Sequence, residues 1–64
     1  STIGEEVGPI AENVSLPSGA RVLSTAVADG RLVVTIEAGG TTEVRMFDLK
    51  TLQLRGRMVF ETLP

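Results

Sequence analysis

From Arg21 onward, apolar and polar side chains alternate with a period of two, the spacing of a half-buried β-strand rather than a helix. Arg21–Ala28 and Arg31–Ala38 flank Asp29-Gly30, a pair suited to the two positive φ angles of a type I′ hairpin turn. A two-residue loop there pairs Ala28 with Arg31, Val27 with Leu32, Thr25 with Val34 and Leu23 with Ile36. On that face the second strand is apolar at Leu32, Val34 and Ile36, while Arg31, Thr35 and Glu37 point the other way.

The turn at Gly39-Gly40 poses a question of parity. A two-residue loop pairs Ile36 with Glu43 and Val34 with Arg45, which places charges on the buried face. A three-residue loop, Ala38-Gly39-Gly40 with Gly40 left-handed as a G1 bulge, instead brings Val44 and Met46 onto it. One residue of slip moves every side chain to the other face, so burial argues for the odd-length loop. The third strand then ends at Asp48-Leu49-Lys50-Thr51, where an Asp side chain can bond backbone amides further on and open a turn. The fourth, Leu52 to Glu61, alternates again, with Leu52, Leu54, Met58 and Phe60 inward and Gln53, Arg55, Arg57 and Glu61 outward. Gly56 falls in line with the inward set, a position for a bulge or a close approach. The expected fold is all-β: a four-stranded antiparallel meander, blade-like, over residues 21–64.

Residues 1–20 read differently. Gly4, Gly8, Pro9, Pro17 and Gly19 interrupt them, and their charges, Glu5, Glu6 and Glu12, are all acidic. Ile3, Val7, Ile10 and Val14 recur at helical spacing, but Gly8-Pro9 breaks the stripe, because a helix rarely runs through the residue before a proline. An extended N-terminal arm, with at most one helical turn after Pro9 and an apolar side to lay on the sheet, is the reading.

Composition narrows the chemistry. The 64 residues hold six Lys+Arg and eight Asp+Glu, a net charge of −2, too balanced for a disordered acidic tail and too acidic for a dedicated nucleic-acid binder. Hydrophobic residues make up 42%, but Phe47 and Phe60 are the only aromatics, so the core must be aliphatic. Cys and His are absent, which removes disulfides, the common zinc, copper and haem ligands, and every Ser-His or Cys-His catalytic pair. No apolar run in the chain reaches the ~18 residues of a membrane span, and no signal-peptide pattern opens it. Starting at Ser1 rather than Met, it reads as a processed or excised piece.

Gly30 to Phe60, with "DGRLVV", "TEVRMFDLKT" and "LRGRMVF", resembles one four-stranded blade of a β-propeller. "LPSGARVLS", "DGRLVVTIE" and "RMFDLKTLQLRGR" together resemble a family of short uncharacterised alphaproteobacterial proteins, over roughly residues 15–60. Those proteins carry an N-terminal membrane helix followed by a small domain of this pattern. The resemblance implies an inner-membrane anchor, in a segment this chain lacks, with residues 1–20 as the linker from it and a periplasmic domain. It implies no activity.

Any active site would have to be made from carboxylates, amines, guanidinium groups and hydroxyls. Glu5-Glu6 lie in the arm, where nothing holds them at a working distance. Glu37 and Glu43 flank one turn and could approach a cation, but a Ca²⁺ site wants several oxygens from an ordered loop. Gly39-Gly40 is followed by no helix and is not a phosphate cradle. Arg45, Arg55 and Arg57 fall on the outward face of neighbouring strands, either as a ladder of cross-strand charge pairs or as an anion-binding patch for lipid head groups or an acidic partner. Only Phe47 interleaves with them, so a single-stranded nucleic-acid platform is not expected. Under the odd-length loop Phe47 shares its face with Val22, Ala26, Val33 and Val59, an apolar surface that a one-sheet monomer should hide. The arm could cover it through Ile3, Val7 and Ile10; a second copy or another protein could do the same. The expectation is a non-enzymatic interaction or accessory module without cofactor or metal, possessing a protein or self-association surface at Val22, Val33, Phe47 and Val59. The alternative is an anion-binding domain that works through the three arginines.

Overall fold

A computed structural model describes residues 10–64. Four eight-residue strands, β1 (Arg21–Ala28), β2 (Arg31–Ala38), β3 (Thr41–Asp48) and β4 (Leu54–Glu61), follow one another in a single antiparallel sheet of order β1-β2-β3-β4. The all-β meander is therefore the architecture, with β1 and β4 at its two sides. Among the described residues the arm contains no helical turn. Ile3 and Val7 lie outside the described residues.

The first hairpin forms as its turn residues dictate. Asp29 and Gly30 both have positive φ, 52° and 72°, and Ala28 pairs with Arg31, Val27 with Leu32 and Thr25 with Val34. The expected Leu23–Ile36 pair does not form. A bulge between Val22 and Ser24 leaves Leu23 as an extra residue and sets Val22 opposite Ile36.

The second hairpin corrects the expected register. Gly39 and Gly40 take φ of 56° and 85°, the two left-handed residues of a two-residue I′ turn, and Ala38 pairs directly with Thr41. Ile36 faces Glu43, Val34 faces Arg45 and Leu32 faces Phe47. Val44 and Met46 consequently lie on the opposite side of the sheet from Leu32, Val34 and Ile36. Twin glycines populate positive φ at both central positions without the Cβ penalty, and this local preference coincides with burial of the largest side chain of β3.

The third turn follows the Asp48 signal. Lys50 N–H and Thr51 N–H donate to Asp48 Oδ1 at 2.7 and 3.1 Å, Gln53 N–H donates to Thr51 Oγ1 at 3.3 Å, and Leu52 N–H donates to Asp48 O at 2.7 Å. Leu52 itself takes φ 63° and belongs to the turn, so β4 begins at Leu54 rather than Leu52. A second bulge leaves Arg55 extra between Leu54, opposite Phe47, and Gly56, opposite Met46. It divides the expected inward set of β4, sending Leu54 to one side and Gly56, Met58 and Phe60 to the other.

The sheet thus has two distinct sides. One, the arm face, carries Val22, Thr25 and Val27, then Leu32, Val34 and Ile36, then Glu43, Arg45 and Phe47, and finally Leu54, Arg57 and Val59. The other, the open face, carries Ser24, Ala26, Val33, Thr35, Val44, Met46, Gly56, Met58 and Phe60. The core sits on the arm face, where among the described residues Ile36 and Phe47 are the buried hydrophobic side chains, 3% and 9% exposed. Phe47 was expected on a solvent-side surface with Ala26 and Val33; the even-length turn places it in the core, and they lie behind it.

Candidate functional site

Among the described residues, the part of the arm that meets the sheet lies close to β1. Ile10 is 56% exposed, whereas Glu12, Val14 and Leu16 line a cavity of about 250 Å³ together with Val22, Leu32, Val34, Ile36, Arg45, Phe47 and Leu52 of the sheet side. Its geometry begins at Pro17-Ser18-Gly19-Ala20, a turn closed by Ala20 N–H donating to Pro17 O at 3.0 Å, with Gly19 at φ 83°. Positive φ at its third residue is the type II requirement. The turn reverses the chain ahead of β1 and lays Leu16 and Val14 back over the arm face. The alternation Val14-x-Leu16 before Pro17 was the available sequence signal for this contact.

The cavity wall is apolar apart from Glu12 and Arg45. Arg45 is only 14% exposed in its side chain, and its Nε donates to Glu43 Oε2 at 2.9 Å. Arg57, directly opposite Arg45 in the ladder, donates its Nε to the same oxygen at 2.5 Å. One carboxylate therefore bridges two guanidinium groups that would otherwise repel each other across adjacent strands. These bonds, that from Arg45 foremost, hold the Glu43 carboxyl below its ordinary range against the opposing effect of desolvation. The charges that argued against the two-residue loop are present on the core side of the sheet, but they neutralise one another at its β3–β4 margin.

The proposed arginine patch is accordingly divided. Arg45 and Arg57 are brought together but share Glu43, and Arg55 is the extra residue of the β4 bulge. Glu37 and Glu43, weighed as a cation pair, lie on opposite faces, with Glu37 accepting from Arg21 Nε at 3.0 Å across an exposed edge. Glu5 and Glu6 fall outside the described residues. Asp48 is held below its ordinary carboxylate range by the backbone N–H groups of Lys50 and then Thr51, with Arg55 adding to the effect. That arrangement is a turn lock and leaves the carboxylate engaged.

Of the four residues grouped as an interaction surface, Val22, Phe47 and Val59 share the arm face and Val33 lies on the open face. Phe47 is buried, while Val22 and Val59 are 50% and 44% exposed. A different apolar surface emerges from the observed register. Val33, Val44 and Met46 are half-buried on the open face beside Met58 and Phe60, which are 58% and 53% exposed. Among the described residues nothing lies over them.

No protein-family model matches the chain, and comparison with curated proteins and with solved structures finds no match to either. The resemblance to a propeller blade and to the alphaproteobacterial family rests on the quoted segments alone.

Proposed function

We propose that the protein is a non-enzymatic interaction module that self-associates through the open face of its sheet. The observation that carries this reading is the exposure of Met58 and Phe60 beside Val33, Val44 and Met46, on a side left uncovered by every described residue. A sheet buries its apolar face against a second layer, and here the arm supplies one for the other side alone. Charge favours a second copy as the occupant. The open face holds Arg21 with Glu37 at one end and Arg31 opposite Asp48 at the other, so it is neutral as a whole and does not repel itself. Four strands about 4.8 Å apart and eight residues at ~3.3 Å each outline roughly 500 Å² per protomer. Two such faces together reach about 1,000 Å², the lower bound of a specific interface, so the complex is a weak and concentration-dependent one. From the resemblance comes a further element of the proposal, a place beside a bacterial inner membrane.

Sedimentation equilibrium across a concentration series tests the association. The wild-type mass should rise toward two copies, and Phe60→Glu should hold it at one. Leu63→Glu, a charge at an 80%-exposed position outside the strands, should leave association intact. A wild-type chain that stays monomeric throughout, or a Phe60→Glu variant that still associates, would refute the reading.

A further inference from the structure

We propose that the cavity between the arm and the sheet is a binding site for a medium-length acyl chain ending in a carboxylate. It is independent of the open face and of self-association. Val14 and Leu16 form one wall, and Val22, Leu32, Val34, Ile36, Phe47 and Leu52 form the floor and sides, so the interior offers aliphatic and aromatic contact. The charged exceptions are Arg45 and Glu12. Arg45 uses only its Nε on Glu43; its terminal N–H groups have no hydrogen-bond partner among the described residues, although the side chain is only 14% exposed. A largely covered guanidinium with free donors at an apolar cavity is a receptor for a carboxylate, which it can engage through two parallel bonds. Arg57, on the far side of Glu43, leaves this cluster with two positive charges to one negative. Glu12 at the wall opposes an anion and weakens the site rather than defining it.

The volume sets how much of a chain this half-open cavity can cover. At roughly 30 Å³ per water-sized group, about 250 Å³ holds on the order of eight methylene-sized groups. That is below the ~300–1,000 Å³ typical of drug-sized ligands. A chain of about eight carbons is the expected fit, its carboxylate on Arg45 and its tail toward Phe47 and Ile36.

The test is titration of the ¹⁵N-labelled protein with sodium octanoate, octanol and inorganic phosphate, followed by amide chemical shifts. Octanoate should shift Val14, Leu16, Arg45 and Leu52 saturably while leaving Met58 and Phe60 unmoved. Octanol, which lacks the anion, should bind at least about tenfold more weakly, and so should octanoate to Arg45→Gln, the scale of a lost charged hydrogen bond. Phosphate alone should not saturate the site. Glu12→Gln should tighten octanoate binding, and because Glu12 is exposed this variant keeps the result interpretable if Arg45→Gln does not fold. Equal affinity for octanoate and octanol, saturation by phosphate, or shifts confined to the open face would overturn the proposal.

Discussion

Truncating the neighbouring residues Met46 and Phe47 tests the register on which both proposed surfaces depend. Phe47 is 9% exposed on the arm face, opposite Leu32 and Leu54, with the arm's Val14 and Leu16 lining the adjacent cavity. Phe47→Ala removes most of a buried aromatic side chain and should cost about 3–5 kcal/mol. Met46 is half-buried on the open face, so Met46→Ala forfeits only part of the 2–5 kcal/mol of a core methionine, about 1–2 kcal/mol. At 0.05–0.15 kcal/mol per residue the whole domain holds roughly 3–10 kcal/mol, so the first change removes a large share of its stability and the second does not. Urea unfolding followed by circular dichroism separates the two. With a slope near 1 kcal/mol/M for a chain this small, Met46→Ala should move the midpoint down by about 1–2 M. Phe47→Ala should move it by about 3 M or leave no folded baseline. Dilute samples keep the proposed self-association from adding to the Met46 value. If Met46→Ala proved the more damaging of the two, the even-length Gly39-Gly40 turn would be refuted, and the arm face and open face with it.

Two further outcomes follow from the same structure. At Gly56 an added Cβ would meet only Met46 Cε, at 3.2 Å, and that is the far end of a flexible side chain on an uncovered face. The methionine can swing aside, so Gly56→Ala should add the ~0.5–1 kcal/mol that a strand glycine forfeits, less the cost of the new rotamer, raising the urea midpoint by at most about 1 M, and a loss of more than about 1 kcal/mol would show the contact to be rigid. Glu43 and Asp48 both have folded pKa values below their ordinary ones, so their contribution is fully present above the ordinary carboxylate range, about pH 4, and is lost as pH falls through the depressed values. Thermal midpoints should therefore drop from pH 5 to pH 2, and Glu43→Gln should flatten that dependence; a variant as acid-labile as the wild type would remove the Arg45–Glu43–Arg57 cluster from the explanation.

How far the sequence could be read depended on whether a feature was local. Asp29-Gly30 and Asp48-Leu49-Lys50-Thr51 were legible because backbone conformation and side-chain bonding at those positions depend on neighbours a few residues away. Gly39-Gly40 was equally legible as a turn but not in its length. Charges at positions 43 and 45 weigh against placing them on the buried face, and nothing in the linear order signals that Arg57, fourteen residues beyond Glu43, shares its carboxylate. The bulges at Leu23 and Arg55 shifted Val22 and Leu54 onto the arm face, and extra residues of this kind leave no mark in an alternating pattern. Phe47 stands out in the sequence as the aromatic of β3, but parity alone assigns its side, and one residue of slip moves it from the core to the opposite face. The cavity is hard to read from the sequence because Val14 also completes the helical spacing of Ile3, Val7 and Ile10, and Leu16 falls outside that spacing.

Both bulges fall on the outermost strands. A flat outer ribbon of eight residues offers its spare amide and carbonyl groups as a template on which further chains can zip side by side into fibrils. Here the row is offset by one residue at Leu23 on one flank and at Arg55 on the other, so an incoming straight strand loses step with it before the ladder is complete. An outer row broken in this way works against lateral growth, which has no natural end.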